Sequence, residues 1–238
     1  MKQKKIVIWD IESSNLSADF ATILCVGWKY LGDKKVNIVK ISDSPTFKKD
    51  PTNDKWVVKQ ISTILSDADQ WVTHYGTRFD VPMVNTKLLS WGLPPLPPVP
   101  HVDTWRVSKY KLKLHSNRLA SVSAMFGLDD KTPVLGRQWI QAIAGHKPSL
   151  NYVYEHCKQD IIVLEEVYNK IKCLITDHPN INLCDDSVDV PRCPICGSDH
   201  IHKRGFHIAR TSKRQRYQCQ RCGGWSSGKS ISSKIEIR

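Results

Sequence analysis

The sequence has no apolar run that approaches the roughly 20 residues needed to cross a membrane. The apolar stretch behind the basic residues MKQKK is too short for a signal peptide and is interrupted by Asp10. Neither a membrane span nor a secretory leader is therefore expected. The pattern favours a soluble, intracellular protein of the cytoplasm.

Acidic residues are scarce at the C-terminal end. Residues 191–238 contain 11 Lys and Arg but only 2 acids, whereas residues 1–190 contain 24 basic and 21 acidic residues. Most of the net charge of +12 therefore lies in the last fifth of the chain. Because Lys and Arg displace the counterions condensed on phosphates, this asymmetry indicates a nucleic-acid partner, with DNA favoured and RNA open. A solvated basic tail that only aids solubility is the alternative.

Eight cysteines could form four disulfides in a secreted protein, but the lack of a signal peptide and the two close pairs favour metal binding. Of the eight cysteines, four have no ligand-like spacing and are predicted to be unpaired packing residues: Cys25, Cys157, Cys173 and Cys184. The other four form two C-x2-C pairs separated by 22 residues: Cys193, Cys196, Cys219 and Cys222. Four thiolates can close a tetrahedral structural Zn²⁺ site, so these pairs predict a zinc ribbon. A redox C-x-x-C motif is the alternative, which twinned pairs in a basic context disfavour.

The segment between the cysteine pairs combines cations with aromatic rings. Cations can follow phosphates while rings stack on bases, so the segment predicts nucleic-acid binding. Contact with a protein is the alternative for a ribbon. The candidate nucleic-acid-binding residues are Lys203, Arg204, Phe206, Arg210, Lys213, Arg214, Arg216 and Tyr217.

Hydrophobic periodicity and turn residues predict an α/β domain followed by a small module. Strands are predicted over 4–11 and 70–75, a short strand edge at HVDTW (101–105), a hairpin over 22–31 and 34–41, and helices over 53–68, 80–92, 115–128 and 149–175. The proline-rich stretch 93–100 is predicted to be an extended connector. The predicted domains are 1–175, a linker over 176–190, and the zinc ribbon over 191–238.

Two carboxylates interrupt the first predicted strand, in the sequence IVIWDIES. Asp10 and Glu12 are two residues apart and therefore point to the same face. Such a pair normally requires a cation, and hard divalent cations prefer oxygen ligands. Asp80 follows another predicted strand, in HYGTRFDVP. Asp160 lies on the long C-terminal helix with His156 one turn earlier.

These motifs, in this order, resemble the DEDD superfamily of 3′→5′ exonucleases: D-x-E, a segment ending in F-D, and Tyr or His followed by Asp on the last helix. The resemblance covers roughly residues 4–172. It implies an RNase-H-like mixed sheet flanked by helices. It also implies an enzyme that hydrolyses phosphodiester bonds with the help of two bound Mg²⁺ or Mn²⁺ ions. The implied metal ligands are Asp10, Glu12, Asp80 and Asp160, and His156 is the implied general base. The chain departs from the family in one respect, because its His-x3-Asp places a histidine at the spacing usual for tyrosine.

Other readings stay open. A structure-selective or mobile-element endonuclease of RNase-H-like fold is disfavoured because only Glu236 follows the last ribbon cysteine. A catalytically inactive nucleic-acid-binding module is the third reading. His156 as a packing or surface residue, and association with replication, repair or recombination proteins, are also open. Asp103 and His74 are predicted to be structural, Thr22 and Phe79 to flank a terminal nucleotide or serve as scaffold, and Glu165 and Glu166 to be solvated.

Overall fold

The structure is a computed structural model that describes residues 4–128, 136–184 and 190–231. The chain divides into a larger compact unit, Lys5–Asn169, and a smaller one that begins at Lys170. The strands of the larger unit are β1 (Ile6–Ser13), β2 (Ile23–Tyr30), β3 (Asn37–Lys40), β4 (Gln70–Thr73) and β5 (His101–Asp103). Its helices are α1 (Lys55–Ser66), α2 (Asp80–Ser90), α3 (Thr104–Lys111), α4 (Leu119–Met125), α5 (Gly136–Ile143) and α6 (Lys147–Ile171).

The five strands form one mixed sheet in the order β3-β2-β1-β4-β5. β2 pairs antiparallel with both β1 and β3, whereas β1, β4 and β5 run parallel to one another. The central strand β1 is buried because it begins with the four apolar residues Ile6–Trp9. This architecture confirms the predicted mixed sheet with flanking helices, including the hairpin.

Helix α6 packs its apolar face against the sheet, and one glycine permits close approach. Cys157 and Ile161 are fully buried and lie one helical turn apart. A Cβ atom at Gly27 of β2 would lie 2.8 Å from the Cys157 Sγ and 2.9 Å from the Ile161 Cγ1. The missing side chain at Gly27 therefore makes room for the helix that carries Asp160.

An ion pair also joins α6 to β2, and it corrects one prediction. Lys29 on β2 pairs with Glu165, and the two side chains are 6% and 14% exposed. The Gly32 N–H donates to the other Glu165 oxygen at 2.6 Å. The prediction that Glu165 is solvated is therefore wrong, because a buried lysine and a backbone donor meet its carboxylate. Glu166, the next residue, is exposed as predicted.

Helices α3 and α5 are present although the sequence reasoning did not predict them. The stretch HVDTW was expected to be a short strand, but the strand ends at Asp103 and a helix begins at Thr104. The Asp103 side chain accepts a hydrogen bond from the Trp105 N–H at 3.0 Å, which is an N-terminal cap. This confirms the structural role expected for Asp103.

The smaller unit contains an antiparallel sheet in the order β6-β7-β8, formed by β6 (Ile201–Ile208), β7 (Lys213–Cys219) and β8 (Trp225–Ile231). Gly197 and Gly223 follow the second cysteine of each pair with φ of 72° and 74°, a backbone conformation that favours glycine. Part of the predicted linker contacts the first cysteine pair, since the Asn182 Nδ2 donates to the Cys193 carbonyl at 3.1 Å. Across the described residues, no helix is long and apolar enough to span a bilayer.

Candidate functional site

The candidate site lies at one edge of the mixed sheet, where three parallel strands have their carboxyl ends. Asp10 and Glu12 lie in the second half of β1, Asp80 begins α2 shortly after β4, and Asp103 ends β5. Parallel strands present their carboxyl ends at the same edge. The topology therefore gathers acidic side chains that are distant in sequence.

Asp80 is the most buried of the four predicted metal ligands, at 2% exposure. Its Oδ1 accepts a hydrogen bond from the Ile11 N–H at 3.1 Å, so it lies against the residue between Asp10 and Glu12. Burial raises the pKa of Asp80 to about 7, despite the Ile11 donor, and the nearby Asp103 charge adds to the rise. A carboxyl group in such a place is favoured as an anion only when a cation is near.

The long helix brings His156 and Asp160 to the same edge. The His156 Nε2 lies 3.8 Å from an Asp160 oxygen and 4.0 Å from a Glu12 oxygen. One ligand atom each from Glu12, His156 and Asp160 lie within 4.8 Å of one another. This spacing suits the coordination of one cation, and it places the imidazole beside the carboxylates rather than away from them.

Cys157 also reaches this cluster, which the sequence reasoning did not predict. Its Sγ, an Asp10 oxygen and a Glu12 oxygen lie within 4.8 Å of one another. A hydrogen bond with Cys25, burial and the neighbouring carboxylates all raise the pKa of the Cys157 thiol. The signal was its position three residues before Asp160, which puts both on one helix face.

The loop between β4 and α2 is held by Asp103 and His74. The Asp103 carboxylate accepts from the Tyr75 N–H at 2.9 Å and the Thr77 N–H at 3.0 Å. The His74 ring is within 2.9 Å of both the Thr104 hydroxyl and the Asn117 carbonyl oxygen, so its role is structural as expected. These contacts fix the loop that leads into Asp80.

The two residues considered as flanks of a terminal nucleotide have scaffold contacts. The Thr22 hydroxyl donates to the Thr52 carbonyl at 3.3 Å, and Phe79 is partly buried against the core. Two large apolar side chains in the loop between β1 and β2 are more exposed. Leu16 is 83% and Phe20 is 76% exposed, directly after the D-x-E motif.

The four ribbon cysteines meet in the smaller unit. Their sulfur atoms all lie within 4.8 Å of one another, with Cys193–Cys222 at 3.7 Å and Cys196–Cys219 at 3.6 Å. Burial opposes ionisation of Cys219, but N–H donors of Cys222 and Arg221 outweigh it and lower its pKa to about 7. Four thiols converging on one point, with one already prone to ionise, fit the structural Zn²⁺ of a ribbon.

The predicted nucleic-acid-binding residues are distributed over both faces of the three-stranded sheet. The register and the strand alternation put Lys203, Phe206, Lys213 and Tyr217 on one face. Arg214 and Arg216 lie on the other face with Trp225, which sequence reasoning missed. Arg204 lies at an irregularity of β6, and Arg210 lies in the turn before β7.

Rings and cations are in contact on each face of this sheet. The Lys213 Nζ is 4.0 Å from the centre of the Phe206 ring, and the Arg216 guanidinium is 5.3 Å from that of Trp225. All of these side chains except Tyr217 are exposed. The arrangement is typical of a surface that meets phosphates and bases together.

Fold and site together define an RNase-H-like α/β protein with an acidic site at the edge of its sheet. The family model of the RNase H superfamily matches residues 7–172, and the chain belongs to that superfamily. The sheet confirms the predicted fold class, and the cysteine cluster is compatible with the predicted ribbon.

Two proteins that the chain resembles, one in sequence and one in fold, are DNA polymerases. The chain is 28% identical over 141 residues to a DNA polymerase III of PolC type from Ureaplasma parvum serovar 3, a match covering 52% of this chain but 10% of that protein. The family B DNA polymerase of the archaeon Pyrobaculum calidifontis has a similar fold, with a TM-score of 0.55 and 15% identity over 72% of this chain and 25% of the polymerase. The chain thus corresponds to a small part of each relative. The archaeal polymerase shows a similarity of fold alone, whereas the superfamily match and the similarity to the PolC-type protein support a nuclease.

Proposed function

We propose that the protein is a metal-dependent 3′→5′ exonuclease that hydrolyses phosphodiester bonds of DNA, with RNA as the other possible substrate. The observation that carries the proposal is the gathering of Asp10, Glu12, Asp80, His156 and Asp160 at one sheet edge. The match to the RNase H superfamily and the DEDD motifs support it.

The donor set fits hard divalent cations. Asp10, Glu12, Asp80 and Asp160 would hold two Mg²⁺ or Mn²⁺ ions, since carboxylate oxygens are the ligands that these cations prefer. When bound, the ions would activate water and stabilise the charge on the leaving oxygen. The chain itself holds Asp80 in place through the Ile11 N–H and keeps its carboxyl group away from solvent.

His156 is proposed as the general base. Its Nε2 lies between the Glu12 and Asp160 carboxylates, so it can take a proton from a water molecule held at the same point. An imidazole nitrogen can accept a proton and release it again, which suits proton transfer at this point. The side chain is 16% exposed, so it is open to a substrate water.

The ribbon is proposed to hold the substrate rather than to cleave it. Its sheet presents cations and aromatic rings on both faces, and residues 191–231 contain a single acid, Asp199. The DNA polymerase relatives make an association with replication, repair or recombination proteins reasonable.

The substitution Asp80→Asn tests the site. Asparagine keeps an oxygen that can accept the Ile11 N–H but removes the charge, so folding should persist while Mg²⁺- or Mn²⁺-dependent digestion of an end-labelled strand falls by at least about 100-fold. Glu166→Gln, an exposed acid on α6, is the matched control and should keep full activity. Digestion by Asp80→Asn at the wild-type rate would refute the site.

Direction and end dependence have their own test. A linear strand labelled at its 5′ end should give a ladder of progressively shorter labelled products, whereas a 3′ label should be released at once as a mononucleotide. A closed circular strand should resist. Cutting of the circle at the rate of the linear strand would favour the endonuclease alternative instead.

A further inference from the structure

A cluster of aromatic and basic side chains lies outside the ribbon, beside the acidic site. The Tyr75 and Trp105 rings are 4.9 Å apart and nearly perpendicular, and the Arg78 guanidinium is 5.8 Å from the centre of the Trp105 ring. With Arg106 and Lys109, these residues form what we call the aromatic–basic patch. The side chains of these residues have no role in the site described above, where only the Tyr75 main-chain N–H takes part.

The patch occupies the same sheet edge as the acidic site. Tyr75 is the second residue after β4, and Trp105 is the second residue after β5. Asp103 accepts from the main-chain N–H groups of both, which holds the two rings side by side. The patch follows β4 and β5, the two strands next to β1 on this side, and neighbouring strands are about 5 Å apart. A DNA strand whose end lies at the ligands on β1 would therefore reach the patch about one or two nucleotides further along.

The segment that follows Asp103 and carries part of the patch has charge of one sign only. Residues 104–128 contain five Lys and Arg and no Asp or Glu. Arg106 and Lys109 are exposed on α3, and Lys109 is four residues after Trp105, which puts these two residues on the same helix face. Among the residues that the structure describes, Arg78, Arg106 and Lys109 form no ion pair with an acid, which leaves their charge available to phosphates.

The backbone at the patch is unusual. Tyr75 has a φ of 70°, in the left-handed region that side chains other than glycine rarely adopt. Its ring is nonetheless 39% exposed rather than buried. A strained residue that carries a large exposed ring contributes little to the core, which points to a contact outside the chain.

We propose that the aromatic–basic patch binds single-stranded DNA, holding the nucleotides that precede the terminal phosphodiester bond. This extends the proposed function, on which it rests, and it identifies the substrate as an unpaired strand end. Aromatic rings can stack only on bases that are not buried in a duplex, while Arg78 and Lys109 meet the phosphates. An acidic peptide would satisfy the charges but would leave the two rings without a partner.

Fluorescence anisotropy with a labelled oligo-dT of 15 nucleotides tests the proposal in the full chain, in an Asp80→Asn background so that the strand stays intact. We expect Trp105→Ala to weaken binding about 5- to 100-fold, as loss of one stacked base predicts. Arg78→Ala with Lys109→Ala should weaken binding and reduce the salt slope of log K by about 0.7 for each cation. The control is Lys34→Ala with Lys35→Ala, which removes the same charge in the exposed turn between β2 and β3.

Affinity within twofold of the parent for all patch variants, or an equal loss in the control pair, would overturn the proposal. Equal competition by a duplex of the same length, or by polyglutamate, would also overturn it. A second measurement does not depend on variants: 5-iodouracil placed two to five nucleotides from the 3′ end should crosslink to Tyr75 or Trp105 in the parent protein, and crosslinks confined to other residues would count against the patch.

The two proposals fail separately. If the chain hydrolyses DNA but the patch variants bind normally, the exonuclease stands and the patch does not. If the wild type hydrolyses no strand under any metal condition, the anisotropy and crosslinking measurements still decide whether the patch binds DNA.

Discussion

At the scale of the residue, Asp80 shows how a buried acid can be kept ready for a cation. Its carboxyl group is almost wholly enclosed, yet its oxygen is held by the Ile11 N–H beside the D-x-E motif. Burial raises its pKa to about 7, so at neutral pH the carboxyl group without a cation is protonated in about half of the molecules. A cation must therefore compete with a proton at this residue.

That competition predicts a pH dependence of metal binding. Below about pH 7 the proton on Asp80 must leave before a cation binds, so the apparent Mn²⁺ affinity should fall as pH falls, by up to about tenfold per pH unit from this group. The signal of free Mn²⁺ in electron paramagnetic resonance, followed from pH 5.5 to 8, measures it. Asp80→Asn should bind more weakly at high pH and show a flatter profile. An identical profile in wild type and variant would contradict the prediction.

The sequence alone singled out Asp10 and Glu12 because two carboxylates in a buried strand are energetically costly unless a cation is near. Asp10 and Glu12 interrupt a buried strand, and nothing about packing explains them. Cys157 was missed for the opposite reason, since a buried cysteine on an apolar helix face looks like ordinary core. Glu165 was misjudged because its partner, Lys29, is 136 positions away and only the tertiary fold brings them together.

At the scale of the element, the contact between α6 and β2 predicts the effect of one methyl group. Gly27→Ala would place a Cβ atom 2.8 Å from the Cys157 Sγ, so the helix must shift or the core must strain. We expect a loss of about 1–3 kcal/mol in the free energy of unfolding, measured by urea denaturation.

The control for this prediction is Gly136→Ala in α5, where a Cβ would meet nothing within 4 Å among the residues that the structure describes. Adding Cys157→Ala to Gly27→Ala should recover part of the loss, since it removes the closer of the two atoms. Wild-type stability of Gly27→Ala alone would show that α6 is not packed as closely as described.

Elements with strong periodicity were predictable, and short ones were not. The buried strand, the hairpin and the long helix follow from apolar spacing and turn residues. Helix α3 is only eight residues long and mostly polar, so its periodicity is weak. The signal was Asp103 followed by a helical run. A capping residue marks the start of a helix only if the preceding strand ends there, however, and the end of that strand is set by tertiary packing.

At the scale of the whole molecule, we expect the ribbon to bind the DNA substrate and the larger unit to hydrolyse it. Elemental analysis should find about one zinc atom per chain, and Cys219→Ser should remove it, because three thiols hold structural zinc much less well than four. Loss of the ribbon fold should then weaken DNA binding and flatten its salt dependence, while the turnover rate at saturating substrate falls less.

The control for the ribbon prediction is Cys173→Ser, which alters a cysteine outside the cluster and should keep zinc and affinity. Full zinc content in Cys219→Ser would refute the site. A loss of turnover as large as the loss of affinity would show that the ribbon takes part in the chemistry.

The left-handed backbone at Tyr75 has a consequence for how this protein can be improved. Glycine adopts that conformation without steric cost, so Tyr75→Gly should leave the melting temperature unchanged or higher. The same change deletes the exposed ring next to Trp105. Selection for thermal robustness alone would thus discard this tyrosine, and keeping it exchanges a relaxed main chain for the proposed contact with a DNA strand.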